Sequence, residues 1–576
     1  MTRRQLLAGT GAATATLGVN IVAVPRSHAA TRWDRETDII VVGSGVGACT
    51  AAVIAHENGD SVVMVEKAPL PGGTSAKSAG VLWIPNNFTL RQKGVVDGKE
   101  DCLRYLARFS YPERYHPAQP GLGVGAHAYA LLEAFYDNAS AAIDRLREIG
   151  ALAVTEWRMF ALDRSATDYL DHVPENKVPT GRTLGPLRPD GRTGGGVDLM
   201  QQLGDAVRRR GIPVLFNHRA TRLVVDDAGR VTGIEANSAG RTVTVRTRKA
   251  AVFATGGYVH NPQLVDMFQR NRLYGSCAMP WATGDFIAIA AGVGAQFGNL
   301  SGAWRTQIVL DEALQNRHLA GGVFLPPGDS MLQVNRYGRR VVNEKRNYND
   351  RTEAHGAFDA SQAESPNHLL FMIYDQRTAD GFGGAYPLPA TPTGAPYVLH
   401  ADSLPGLAQT LQRRMEELAP RTGGLRLVPD FSHNLRQTIE RFNRFARSGQ
   451  DDDFGRGAAA YDREWQLVFS PMRTGTTWPA SDAPNITMHP LSDHGPYYAI
   501  ILAAGALDTN GGPVIDARAR VLGADGRAIA GLYGAGNCIA SPSRFAYWGA
   551  GHTLGQSLTF GYIAANAAHD EPRSEG

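Results

Sequence analysis

The stretch TDIIVVGSGVGACTAAVIAHENGDSVVMVEKAPLPGGTSAKSAG, residues 37–80, restricts the possible folds more than any other part of the chain. Ile39–Val42 is a short β-branched run that reads as a buried parallel strand. Gly43-Ser44-Gly45-Val46-Gly47-Ala48 follows at once and opens a helical pattern over 48–58. A second strand, 61–65, ends at Glu66, 23 residues beyond Gly43. Strand, glycine turn, helix, strand and acid in this order form a nucleotide-binding βαβ unit. Gly43 makes the tight turn, Gly45 lets the backbone approach a pyrophosphate, and Ala48 permits close helix–strand packing. The helix start offers free N–H groups to phosphates, and Glu66 can accept from ribose hydroxyls. The acid disfavours a 2′-phosphate, which leaves FAD or NAD.

Three further glycine-rich turns decide between those two. PGGTSAKSAG (71–80) is a loop of hydroxyls and glycines that can wrap a pyrophosphate and approach a flat ring. AVFATGGY (251–258) and GLYGAGNCIA (531–540) each read as a buried strand running into glycines. One nucleotide lying past turns from both ends of the chain suits an extended FAD. The expected class is α/β, with a Rossmann-like FAD-binding unit that draws on both ends of the chain.

Composition agrees with an enzyme of more than one domain. The chain has 576 residues, too many for one compact core. A formal charge of +3 and the lack of a Lys/Arg tract give no reason to propose nucleic acid. Cys49, Cys102, Cys277 and Cys538 are isolated, so no zinc, thioredoxin-like or haem motif arises; they read as small buried hydrophobes. Residues 1–29 carry Arg3-Arg4, a weakly apolar run and Ser27-His28-Ala29, and resemble a cleavable twin-arginine export leader. No run of 18 apolar residues predicts a membrane span, so the expectation is an exported, periplasmic protein without one.

Gly43–Ala48, Glu66, GGTSAKSAG, ATGG, ATGD (282–285), RRVVNE (339–344) and GLYGAGN together resemble the fumarate reductase/3-ketosteroid dehydrogenase flavoproteins, over about residues 35–570. The resemblance implies a discontinuous Rossmann-like FAD-binding domain at 34–308 and 489–572 and an inserted α+β catalytic or capping domain at 309–488. It implies cofactor contacts at Gly43, Gly45, Gly47, Ala48, Glu66, Lys67, Gly73, Thr74, Ser75, Ser78, Ala79, Gly80, Ala220, Thr255, Gly256, Asp285, Gly536, Asn537 and Leu554. Some fumarate reductases tether FAD through a histidine near the TSAKSAG loop. This chain has only Ser, Thr, Ala and Lys there, which implies noncovalent FAD.

Within that superfamily the positions facing the flavin separate the chemistries. Where fumarate-type reductases place a proton-donating arginine, this chain has Tyr348, as in ketosteroid dehydrogenases; Arg346 lies two residues away. TDYLDHVPENKVPTGR (167–182) maps Tyr169 onto the tyrosine that supports the base. FAYWGAG maps Tyr547 and Gly551 onto the pair that grips a 3-keto oxygen, and GALDTNGG (505–512) lacks the reductases' histidine. A flat ketone would therefore meet phenols, Trp548 and backbone amides. The implied reaction is α,β-dehydrogenation of a ring ketone such as a steroid, with electrons passed to a quinone or other acceptor. Steroid 4-dehydrogenation, oxidation of cyclohexanone-like rings, reduction of small unsaturated acids with Arg346 as donor, and a substrate-free electron-transfer subunit stay open. Phe286, where the family usually has glycine, either narrows the space at the flavin or packs under it; Ala550 replaces a frequent proline. His172 and His552 read as structural or rim residues, and 113–117 and 339–353, outside the family positions, as solvated surface.

Overall fold

A computed structural model of the chain describes residues 32–159, 164–319, 325–468 and 481–574, so the expected leader lies outside the described residues. The glycine-rich segment folds as the βαβ pattern requires. Strands Arg35–Val42 and Val62–Val65 pair in parallel, and helix Val46–Glu57 joins them. The sheet runs Arg520–Leu522, Ala528–Gly534, Arg241–Phe253, Arg35–Val42, Val62–Val65, Val214–Leu215, and an antiparallel pair, Arg219–Val225 and Val231–Ser238, extends from Arg241–Phe253. Its central strands are nearly continuous Ile, Val and Ala, as burial on both faces demands.

Helix His552–His569 crosses helix Val46–Glu57 at very short range. A Cβ on Gly561 would stand 2.4 Å from the Gly47 carbonyl oxygen, and one on Gly47 would stand 2.6 Å from Ser557 Oγ. Glycine on both sides is what brings the chain's last helix onto its first, and with it the C-terminal glycine segment onto the nucleotide turn.

A second, six-stranded sheet is built around the long strand Tyr497–Thr509. That strand pairs with Ala303–Val309, Leu369–Asp375 and Val398–Ala401, and Met331–Val334 continues the sheet. Helices Leu404–Leu418 and Phe431–Ser448 pack their apolar stripes against the sheet. Strands from 303–309 and 497–509 thus complete a sheet whose other large strands come from 309–488. At its end Tyr497–Thr509 docks on the first sheet: Asp508 Oδ2 accepts from Gly257 N–H at 2.8 Å, and Thr509 Oγ1 from Tyr258 N–H at 2.7 Å.

Outside the family motif 339–344, Lys345 and Arg351 depart from the expected solvated surface, and the charges of the motif are buried with them. Arg340, Glu344, Lys345 and Arg351 are all buried. Arg340 meets Glu344 at 2.8 Å and Asp451 at 2.9 Å, and Lys345 donates to the carbonyls of Pro326 and Gly328 at 2.6 Å each. Most partners come from elsewhere in the chain, so charge density in one window misreports exposure. Cys49, Cys102 and Cys538 are buried as expected, while Cys277 is partly exposed. No described helix is long and apolar enough to cross a membrane.

A buried ion cluster fixes the segment that precedes Tyr169. Arg182 donates to Asp97 at 2.7 and 2.9 Å and to Asp168 at 2.6 Å, and Asp168 also accepts from Trp83 Nε1 at 2.7 Å. Burial pushes the Asp168 carboxyl up to about 6 against the pull of Arg182. Removing one member strands the others in the interior, which typically costs about 3–5 kcal/mol. Arg182→Met should lower the free energy of urea unfolding by that amount; a loss within 0.5 kcal/mol of zero, roughly the level of a surface change, would show that the cluster does not hold this region.

Candidate active site

A cavity of about 620 Å³ runs from the glycine turn of the first sheet to an aromatic chamber beside the second. Its nucleotide end is lined by Gly43, Gly45, Gly47, Glu66, Lys67, Gly73, Thr74, Ser75, Ser78, Ala79, Gly80, Thr255, Gly256, Gly536, Asn537 and Leu554. Ala220 and Asp285 line a smaller adjoining cavity of about 30 Å³ that shares Gly43, Glu66, Lys67 and Thr255. Ala48 lines neither; it is fully buried in the first turn of its helix. Asp285 is held by Lys67 at 2.9 Å and Arg219 at 2.8 Å.

The residues present fit an FAD. Gly43 has φ +112°, and a Cβ there would stand 2.3 Å from the Ala254 carbonyl oxygen, so the turn tolerates no side chain. Glu66, at the end of its strand, faces the cavity while accepting from Ser44 Oγ at 2.6 Å and Ala68 N–H at 2.7 Å. The Thr255 hydroxyl is buried on the cavity wall without a hydrogen-bond partner among the described residues. Glycine amides and hydroxyls at the helix start can hold a pyrophosphate, and the Glu66 carboxylate a ribose.

At the other end the chain brings together Tyr169, Tyr348 and Tyr547, from three distant segments. Ring centroids are 5.5 Å apart for Tyr169–Tyr348, 5.3 Å for Tyr169–Tyr547 and 5.4 Å for Tyr348–Tyr547. Tyr348 opens the helix Tyr348–Glu353, capped by Asn347, whose side chain accepts from Asp350 N–H at 2.9 Å. Next to it, Asn349 accepts from Arg305 N–H and donates to the Phe545 carbonyl, both at 2.9 Å, which ties this helix to the Tyr547 segment. The carbonyls around Gly551 are pinned in turn: Trp548 accepts from Tyr105 and from Tyr169 N–H, Ala550 from Thr183, and Gly551 from Trp83 N–H. Gly551 lines the cavity, and its own N–H has no partner among the described residues.

Burial dominates the electrostatics of the three phenols. It raises Tyr547, and raises Tyr169 and Tyr348 well above the ordinary tyrosine range. The Tyr348 hydroxyl interacts with those of both neighbours, an interaction that opposes the rise at Tyr169 and Tyr547 and adds to it at Tyr348. Burial thus favours the protonated form of the Tyr348 phenol. The neighbouring His552 is pushed down to about 3 by burial, so it is a neutral packing group.

Trp548 does not face the chamber. Its indole is fully buried against Trp83, Phe135 and His552, and Nε1 donates to Ser110 Oγ at 2.9 Å. Tyr547 lines the cavity while its neighbour Trp548 packs into the core. The chamber walls are instead Trp157, Trp304 and Trp465, which the sequence reading missed. Trp304 stands edge-on to Tyr547 at 5.4 Å and donates to Asn537 Oδ1 at 3.0 Å. Only its place in an apolar strand beside Arg305 marked it in the sequence. Arg346 points away, donating to the Tyr169 carbonyl at 2.7 Å and to Asp462 at 3.2 Å. Arg544 is paired with Glu113 outside the chamber. Phe286 is stacked on Phe253, a wall of the smaller cavity, at 4.2 Å and itself lines neither cavity. The charged residues lining the large cavity, among those described, are Glu66, Lys67, Lys77 and Asp508.

Fold and site define an FAD-binding flavoprotein with an aromatic, phenol-lined chamber. A family model described as an FAD binding domain matches residues 38–554, and the chain belongs to that family. It is 32% identical to the 4-oxocyclohexanecarboxylate 2-dehydrogenase of Sinomonas cyclohexanicum, over 92% of each chain. It is 29% identical to a 3-oxosteroid 1-dehydrogenase of Mycolicibacterium smegmatis, over 92% of this chain and 97% of the relative. Among solved structures, the 3-ketosteroid Δ1-dehydrogenase of Sterolibacterium denitrificans in complex with 1,4-androstadiene-3,17-dione superposes with a TM-score of 0.75. That match has 26% identity and covers 93% of this chain and 99% of the other.

Gly551 has φ +88°, and a Cβ there would stand 2.4 Å from the Val81 carbonyl oxygen. Left-handed backbone alone costs a non-glycine residue about 1–2 kcal/mol. Gly551→Ala should lower the thermal midpoint and reduce turnover more than tenfold by moving the amide and Tyr547; wild-type turnover would show that this amide has no part in the site.

Proposed function

We propose that this protein is an FAD-dependent dehydrogenase that introduces a C=C bond α,β to the carbonyl of a ring ketone, as a 3-oxosteroid 1-dehydrogenase does. One observation carries the reading: Tyr169, Tyr348, Tyr547 and Gly551 line the same cavity as the nucleotide-binding glycine turn and Glu66. The named relatives support the substrate class, since they act on cyclic ketones. The position of Arg346, turned onto Asp462 and the Tyr169 carbonyl, argues against an arginine-donated reduction of small acids.

In this reading the Tyr547 hydroxyl and the Gly551 N–H donate to the keto oxygen and so acidify the neighbouring carbon. Tyr348 takes the α-proton, and Tyr169 holds the Tyr348 hydroxyl in place. The glycine turns, the hydroxyl-rich loop and Glu66 hold FAD noncovalently; when bound, FAD supplies the acceptor for the β-hydride. The tryptophan walls exclude water and take the flat apolar body of the substrate. A separate acceptor, a quinone or another oxidant, collects the electrons. Residues 1–29 we read as a twin-arginine leader, which places the mature enzyme outside the cytoplasm.

Anaerobic addition of androst-4-ene-3,17-dione should bleach the oxidised flavin spectrum. Tyr348→Phe should retain FAD and lose the bleaching, and near-wild-type bleaching in that variant would remove Tyr348 from the base role. Losing an oxyanion donor typically costs ~10²–10³ in rate, so Tyr547→Phe should fall in that range. Because burial holds the Tyr348 phenol above its ordinary range, the deprotonated fraction grows with pH. The bleaching rate should accordingly climb through the alkaline range, and a rate independent of pH between 7 and 10 would contradict a phenol base.

A further inference from the structure

Four charged residues line the large cavity, among those described, and three of them are already engaged. Glu66 accepts from Ser44 Oγ and Ala68 N–H beside the nucleotide turn. Lys67 is paired with Asp285 at 2.9 Å. Asp508 accepts from Gly257 N–H at 2.8 Å and from Asn537 Nδ2 at 3.3 Å. Lys77 is the fourth, and no carboxylate lies within ion-pair distance of it among the described residues. Its ammonium donates to His318 Nε2 at 3.1 Å and to the Leu319 carbonyl. Both are neutral acceptors, since burial holds His318 below its ordinary range. One of the three ammonium N–H groups is left over.

Packing gives no account of this cation. Burial pulls Lys77 below the ordinary lysine range, a cost that an apolar side chain of similar length would not carry. The neighbours add positive charge: burial, joined by His318, Arg317 and Lys77, holds His260 below its own range. Lys77 is also close to the keto grip. It ends the helix Gly73–Lys77, and Val81, four residues on, packs with Tyr169, Tyr348 and Tyr547. The Val81 carbonyl oxygen is the atom that a Cβ on Gly551 would meet at 2.4 Å. Four residues of chain span at most about 14 Å. The ammonium and the grip are therefore near enough to hold two ends of one substituted ring.

We propose that Lys77 binds a carboxylate carried by the substrate, so that the preferred ketone is a ring acid rather than a neutral ring. This rests on the reading of the chamber as a site of ring-ketone dehydrogenation. The Tyr547 hydroxyl and the Gly551 N–H take the keto oxygen, and the tryptophans take the ring. The Lys77 ammonium takes the carboxylate in a charge-assisted hydrogen bond, the stronger kind. Lys77 moves neither proton nor hydride in this scheme. It selects and orients the ketone, so its loss falls on binding.

The probes are a matched pair, (4-oxocyclohexyl)acetate and its methyl ester, which share the ring and differ in charge. Turnover is followed with an artificial electron-acceptor dye. Wild-type enzyme should show a kcat/KM at least tenfold higher for the acid. Lys77→Met should raise KM for the acid tenfold or more with kcat within about threefold, and leave the ester within about threefold. It should also keep FAD bound, with the wild-type visible spectrum. Lys77→Arg, which keeps the charge, should retain most of the preference for the acid. Wild-type enzyme that is bleached by androst-4-ene-3,17-dione but does not prefer the acid overturns the inference and leaves the dehydrogenase reading intact. So does a preference that survives in Lys77→Met. Loss of FAD from Lys77→Met would assign the lysine to the cofactor's phosphates and overturn it as well. Absence of bleaching by the steroid and by both probes in the wild type overturns the dehydrogenase reading itself.

Discussion

The hydrogen bond from Tyr169 N–H to the Trp548 carbonyl joins the two halves of the chamber, and the rest of the site is arranged around it. Tyr169 arrives on a loop anchored by the Arg182 cluster through its neighbour Asp168. Trp548 arrives with the last helix, which two glycines hold against the first. Tyr348, the third phenol, comes from the other sheet and is tied to the same segment through Asn349 and the Phe545 carbonyl. A phenol trio from three distant stretches is thus positioned mainly by backbone hydrogen bonds, which leave the side chains free for a ligand.

The cost of that arrangement is electrostatic. A chamber dry enough to take a flat apolar ketone also raises every phenol in it. Among the described residues, the cations that line the cavity are Lys67 and Lys77, and neither is among the causes that set the shifts of the three phenols. The chemistry then depends on alkaline conditions or on proton exchange among the three chamber hydroxyls, which interact with one another. Tyrosine suits both, because it donates when neutral and accepts when ionised.

Much of the nucleotide half was legible in the sequence, because there the chemistry is carried by backbone. Gly43 and Glu66 are recognisable at a fixed spacing whatever surrounds them, and they line the cavity at the positions the βαβ pattern requires. The aromatic half was only partly legible. Tyr169, Tyr348 and Tyr547 came from resemblance, and they meet in space. Trp157, Trp304 and Trp465 carry no local pattern that separates a chamber wall from ordinary core. Trp548 was misread because adjacency to Tyr547 in sequence does not carry its side chain into the same cavity: its indole is taken by Trp83, Phe135 and Ser110. The buried charges of 339–353 were misread because most of their partners lie far along the chain, as Arg340 and Asp451 show.

The strand Tyr497–Thr509 belongs to the second sheet by its pairing, yet its last residues bind the glycine turn that follows Arg241–Phe253 in the first. A chimera made to change ketone preference would have to respect this junction. Exchanging only 309–488 with a relative leaves Asp508 and Thr509 native to the nucleotide half. Carrying the exchange through 509 imports a foreign clasp and sets the two sheets at another enzyme's spacing.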